Sequence, residues 1–316
     1  MKKYLYIAFA AAALTSCSSD EVMETVEKQA IAFGNPFIEN STRATDNTYG
    51  AVALTKFDVY GTVQGTGATA KVNIFDGDLV KGEVGANEWS CDVKQYWIAN
   101  SDYDFAAVVE YNKEGNKVAG NTITLDSNKM PQSYLYNTST QVDLLYDENL
   151  APTIGSAVNF TFGHLLSKAW FTVKSNARDG YTHTVKNISV SNYATANYYF
   201  QKVGDKDAGN WYGVTAGNIS FEDIADVTST ETNGKTNATQ MLLIPNNNDF
   251  TVSFTIDLEL DGKTVESIPY TKTVSQDLLK GNSYNFTLDL TVGGLIEFTV
   301  TDAPAWAGPT EPGITL

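Results

Sequence analysis

Apolar and polar residues alternate with a period of two along most of this chain, the pattern of strands with one buried and one wet face. Phe57, Val59 and Gly61 alternate with Lys56, Asp58 and Tyr60, and a Gly-Thr-Gly turn at 65–67 leads to Val72, Ile74 and Phe75. In the second half, Phe160 and Phe162 are followed by Ala169, Phe171 and Val173 against Trp170, Thr172 and Lys174. The longest stripe is Val252, Phe254, Ile256, Leu258 and Leu260; Tyr284, Phe286, Leu288 and Leu290 answer it, then Ile296, Phe298 and Val300. Asp-Gly, Gly-Asn and Gly-Gly signals separate these runs, so the pattern predicts an all-β chain of antiparallel β-sandwiches. A single helical turn is predicted, at 275–280.

The 273 residues from 44 to 316 exceed what one compact core serves, which predicts two tandem domains. The stretch Leu150-Ala151-Pro152-Thr153-Ile154-Gly155-Ser156 has linker composition and divides a first sandwich, 44–150, from a second, 156–316. After Trp306 the tail holds two prolines and two glycines and is expected to be extended.

Upstream of both domains lies AIAFGNPFIENSTRAT, Ala30 to Thr45. Ile31 and Phe33 share a face at a spacing of two, and Phe37 and Ile38 follow a Gly-Asn-Pro turn signal, which predicts an edge strand, a turn and a second short strand. Ser41-Thr42-Arg43-Ala44-Thr45 is small and polar, the composition of a nicking site. Arg43 and Arg178 are the two arginines of the chain. An arginine-specific protease thus has one address near the N-terminus, and cutting between Arg43 and Ala44 detaches everything before it.

Residues 1–16 set the compartment. Lys2 and Lys3 precede eleven mostly apolar residues, Tyr4 to Leu14, a secretory signal too short to span a bilayer. Leu14-Thr15-Ser16-Cys17 resembles a lipobox, in which Cys17 becomes an acylated N-terminus held on a membrane by about 0.8 kcal/mol per buried methylene. Residues 18–29, acidic and polar, read as a tether. Cys91 is the one other cysteine, so no disulfide framework is available, and its aromatic surroundings predict an inert, buried thiol. Net charge is −16, or −18 without the two lysines of the signal, which excludes nucleic acid as a main partner.

Catalytic motifs are absent from the sequence. His164 and His183 are its two histidines, and neither has a second ligand at metal spacing. No Ser sits in a G-x-S-x-G elbow. Gly65 to Ala70 satisfies G-x-G-x-x-A, but a strand follows instead of the helix that a phosphate cradle needs. The Asp205-Lys206-Asp207-Ala208-Gly209-Asn210 run fails calcium-loop spacing at positions five and twelve. His164 therefore reads as a hydrogen-bonded structural histidine, and Tyr198, Tyr199, Trp211 and Tyr212 as cross-strand aromatic pairs, with sugar stacking as the second reading. The chain is expected to be no enzyme and to need no cofactor or metal; abundant carboxylates keep a glycoside hydrolase only as a remote alternative.

The series LTSCSSDE, IAFGNPFIENSTRAT, KQYWIANSDYDFAAVV, VDLLY, VNFTFGHLLSKAWFTVK, LLIP, NSYNFTLDL and IEFTVTDAPAW resembles the Mfa-like, fimbrillin family of Bacteroidia. The block carrying Phe162, His164, Leu166, Ser167, Lys168 and Phe171 is its most recognisable part. That resemblance implies two transthyretin-like, Greek-key sandwiches in a surface lipoprotein that builds fimbriae (type V pili) or serves as a tip or accessory adhesin. It also implies removal of the first strand by an arginine-specific protease at Arg43–Ala44 and its replacement by a strand of another subunit. The expected partners are other fimbrial subunits and the outer membrane through Cys17. The alternative is a non-polymerising surface lipoprotein that binds glycan or a host ligand.

Overall fold

In a computed structural model of the protein, residues 29–38, 48–49, 52–83, 89–111, 116–176, 180–201, 209–228, 234–237, 240–291 and 296–303 are described. Their first strands are β1 (Phe37–Ile38), β2 (Thr48–Tyr49), β3 (Val52–Ala53), β4 (Lys56–Gly65), β5 (Val72–Lys81), β6 (Ser90–Cys91), β7 (Ser101–Val109), β8 (Thr122–Leu125), β9 (Pro131–Asn137), β10 (Leu145–Asn149) and β11 (Thr161–His164). Then come β12 (Ser167–Ser175), β13 (Tyr181–Tyr199), β14 (Trp211–Ser220), β15 (Ile224–Thr228), β16 (Lys235–Thr236), β17 (Met241–Leu243), β18 (Phe250–Leu260), β19 (Lys263–Val274), β20 (Ser283–Leu290) and β21 (Ile296–Ala303). The protein is all-β, and the one helical element among the described residues is a 3₁₀ turn, Thr138–Thr140. At 275–280, where a helical turn is predicted, Leu278 instead exchanges backbone hydrogen bonds with Asn246 and buries its side chain. Tertiary pairing overrides local propensity there.

A seven-stranded sheet runs β1-β11-β10-β7-β4-β5-β6. A second is ordered β16-β12-β20-β21 with β17 also on β12, and a third runs β19-β18-β13-β9-β8 with β14 and β15 on β13. Pairing is mixed, not uniformly antiparallel as the pattern predicts: β12 runs parallel to β20 over eight residue pairs, and β1 parallel to β11. β12 is buried on nearly all its residues, Lys168, Trp170 and Thr172 included, so its two-residue period marks no wet face. A strand covered on both sides carries no polarity signal to read.

Among the described residues, three clusters of buried side chains form the interior. One gathers Phe57, Phe75, Phe105, Phe160 and Phe162 around the first sheet, and another gathers Phe171, Val252, Phe254 and Phe286 between the second and third. The last, with Tyr134, Tyr136, Leu165, Tyr198 and Phe200, is shared by residues from both halves of the chain. β13 makes that sharing possible. Its first half pairs with β18 and puts Val185, Ile188 and Val190 in one cluster, while Thr195–Tyr199 pairs with β9 and puts Ala196 and Tyr198 in another. Residues 150–156, expected as a linker, join β10 to β11, which are neighbours in the same sheet.

Candidate functional site

The Gly-Asn-Pro turn divides the segment 29–38 into two phases. Ile31 and Phe33 point inward, the kink shifts the register, and Ile38 points inward while Phe37 turns out, 43% exposed. Phe37 and Ile38 form the short strand β1, with Ile38 as its buried side chain. Phe33 is 1% exposed and meets four rings: Phe57, Phe75 and Phe105 edge-on at 6.2, 5.5 and 6.4 Å between centroids, and Phe160 stacked. Burying Ile31, Phe33 and Ile38 stabilises the fold by roughly 5 to 9 kcal/mol as an upper figure.

The backbone of this segment is held on both flanks, so the predicted edge strand is an inserted one. On one side Ile31 N–H donates to Gln95 O at 2.8 Å, Trp97 N–H to Gln29 O at 2.9 Å and Trp89 N–H to Phe33 O at 3.0 Å. On the other, Val158 N–H donates to Ala32 O at 2.8 Å, and Gly34 and Phe37 N–H donate to Val158 and Phe160 O, both at 3.0 Å. Gln29 Nε2 also reaches Gly155 O, and the Trp89 indole donates to Asn35 Oδ1 at 3.2 Å. Trp89 abuts β6 and Val158 precedes β11, so the segment ties the two ends of the seven-stranded sheet together. Without it, backbone donors and acceptors on two strand edges would stand open above an aromatic floor. Cys17, Arg43 and Ala44 lie outside the described residues.

A sequence reading misses the walls of this groove. Trp89, Gln95, Trp97 and Val158 stand more than fifty residues from their partners, and only the Phe160–Phe162 alternation hints at a receiving strand.

Other singled-out residues resolve as packing. His164 Nδ1 lies 2.8 Å from Asp143 Oδ2, both buried. Tyr198 and Tyr199 are buried and pair with Trp211 and Tyr212 at 5.0 and 3.5 Å between centroids. Cys91 is half-buried and free, and burial pushes its thiol up. On β4 of the groove's sheet, Asp58, 2% exposed, accepts from the Tyr111 hydroxyl at 2.6 Å, and Lys117 Nζ lies 2.7 Å from both Asp58 Oδ2 and Glu110 Oε1. Tyr134 donates to Glu110 Oε2 at 2.7 Å, which joins β9 to the end of β7.

The sequence profile of the fimbrillin-like family matches residues 42–304. The chain belongs to the fimbrillin-like family. A prokaryotic membrane lipoprotein lipid attachment site matches residues 1–18, which brackets Cys17 and makes this fimbrillin-like chain a membrane lipoprotein. The fold is similar to a candidate cell adhesion protein from Bacteroides ovatus, at TM-score 0.53 and 14% identity, over 89% of this chain and 99% of that one. A candidate cell adhesion protein from Bacteroides uniformis matches at TM-score 0.50 and 17% identity, over 88% and 100%. A fimbrial assembly protein from Parabacteroides distasonis aligns at TM-score 0.37 and 13% identity, over 87% and 100%. None of the curated proteins compared matches the chain.

Proposed function

We propose that this lipoprotein is a subunit or tip adhesin of a surface fimbrium, assembled by donor-strand exchange after cleavage between Arg43 and Ala44. One observation carries the reading: the ten residues before the cleavage region are seated in the fold by at least six backbone hydrogen bonds and three buried anchors, with partners on both sides. Arg43 comes five residues after Ile38, so a cut there leaves the plug attached to the body by non-covalent contacts alone. An incoming strand that matches its alternation restores both ladders and all three anchors without a cofactor. β21 has the character of a donor, since among the described residues β20 is its one sheet neighbour and Ile296, Phe298 and Val300 alternate along it. The role is structural, in two tandem transthyretin-like units displayed at the cell surface through lipid on Cys17. Cells carrying Arg43→Ala should lose the filaments seen by negative-stain microscopy while keeping the lipoprotein in the membrane fraction; unchanged filaments would refute cleavage-driven assembly.

A second reading, ligand binding, is supported by a hollow of mixed polar and apolar lining, far from the plug in sequence, between β13, β14 and the turn before β18.

A further inference from the structure

A cavity of about 440 Å³ opens where Tyr193 on β13, Asn218 on β14 and Asn246, Asn248 and Asp249 of the turn before β18 converge. Its volume is that of a small-molecule site. The backbone builds it: pairing of β13 with β14 slips between Tyr193 and Thr195, a bulge of the kind that re-aims side chains. Gly217 makes this approach feasible, because a Cβ there would come within 2.7 Å of the Ala194 Cβ and 2.9 Å of its nitrogen.

Part of the lining is fixed by hydrogen bonds, and part, Asn218 and Asp249 included, is exposed to solvent. Asn248 Nδ2 donates to the Tyr193 hydroxyl at 3.1 Å, and Asn248 N–H donates to Asn246 Oδ1 at 3.1 Å. The Tyr193 hydroxyl keeps its own hydrogen to give. Among the described residues the Asn218 amide and the Asp249 carboxylate make no hydrogen bond or ion pair, although both line the hollow.

That inventory selects a ligand class. Among the described residues no Lys, Arg or His lines the cavity, so none of them balances a phosphate, sulfate or carboxylate there. One carboxylate among neutral amides is too little charge for a hard cation, and no group of three His, Cys, Asp or Glu at metal-holding distance occurs among the described residues. Primary amides, a phenol and a carboxylate instead offer mixed donors and acceptors. Vicinal hydroxyls, each able to give and take a hydrogen bond, use that mixture fully, with Asp249 taking two at once. The Tyr193 ring adds an apolar face for C–H groups. The net charge of −16 opposes acidic sugars.

We propose that this cavity is a binding site for a neutral hexose unit of a surface glycan. The site shares no residue with the plug groove, so it serves an uncleaved monomer and an assembled subunit alike. The test is saturation-transfer NMR and calorimetry on the mature, uncleaved chain with the methyl glycosides of glucose, galactose, mannose and N-acetylglucosamine, and with N-acetylneuraminic acid. At least one neutral glycoside should bind saturably, and Asp249→Ala and Asn218→Ala should each weaken it by about tenfold or more with unchanged thermal unfolding. Tyr193→Phe, which keeps the ring, should weaken it less than Asp249→Ala. No saturable binding to any neutral glycoside, binding of N-acetylneuraminic acid alone, or full binding in both alanine variants would overturn the proposal. Because no cleavage is involved, its failure leaves strand exchange untouched.

Discussion

Phe33 stacks on Phe160 at 6.4 Å between ring centroids and 18° between planes, and the two come from segments that pair in parallel, 127 positions apart. One side chain of the N-terminal segment thus sits in the centre of an aromatic cluster whose other members all belong to the body of the fold. That makes the segment a plug in the physical sense, with an anchor, two ladders and a connection to the body that runs through the Arg43 region.

Phe33→Ala in the uncleaved chain should lower unfolding stability by about 3–5 kcal/mol, the cost of a large aromatic lost from a packed core. Phe37→Ala, at an exposed position two residues from the kink's centre, should stay within about 0.5 kcal/mol. Urea unfolding followed by tryptophan fluorescence measures both, and equal losses at the two positions would contradict the anchor assignment.

Asp58 supplies a pH prediction. Burial holds its carboxyl above the usual range even though Lys117 and Tyr111 act the other way. Its native pKa therefore exceeds the unfolded one, and between the two the native state binds more protons. This group's contribution falls as pH rises through that window and is constant above it. Removing Lys117 raises the native pKa further and strands a buried charge. Lys117→Met should cost about 1–3 kcal/mol at pH 7, less than a fully buried pair because the lysine is half-exposed, and the deficit should shrink as pH is lowered from 7 toward 4. The comparison of urea midpoints at the two pH values reads this directly; a deficit that grows on acidification would reverse the sign.

Cys91 offers an internal reporter of the plug. It follows Trp89, whose N–H is held by Phe33 O, and its thiol is raised by burial. Reaction with a thiol-specific chromogenic reagent at neutral pH should be at least about tenfold slower than in the unfolded chain. Loss of the plug should accelerate it while the remaining fold stays intact. Rapid labelling of the intact protein would show that the thiol is open from the start.

The strand grammar of the chain is legible where one face is wet. The Val252–Leu260 stripe lies within β18 and the Tyr284–Leu290 stripe within β20. It fails where pairing is distant or burial is complete. Ile31 and Phe33 read correctly as inward, but their place between Trp89 and Val158 depends on partners 56 and 125 residues from Phe33. The Gly34-Asn35-Pro36 kink then shifts the phase, so that Ile38 is buried and Phe37 is not. Likewise β13 runs nineteen residues past a bulge, with Asn187 at φ 53°, so that no single alternation holds along it. The cavity residues were invisible for another reason: Asn246-Asn247-Asn248-Asp249 carries turn composition, and only the approach of Tyr193 and Asn218 makes a hollow of it.

The central claim is that cutting after Arg43 frees an acceptor groove. The direct measurement takes the Arg178→Lys chain, so that one arginine remains, digests it with an arginine-specific protease, and follows mass by size-exclusion chromatography with light scattering as fresh subunit is added. Release of the segment ending at Arg43, together with a ladder of oligomers that Arg43→Ala abolishes, is the predicted result. A chain cleaved at Arg43 that sheds its plug and stays monomeric with fresh subunit present would contradict the account.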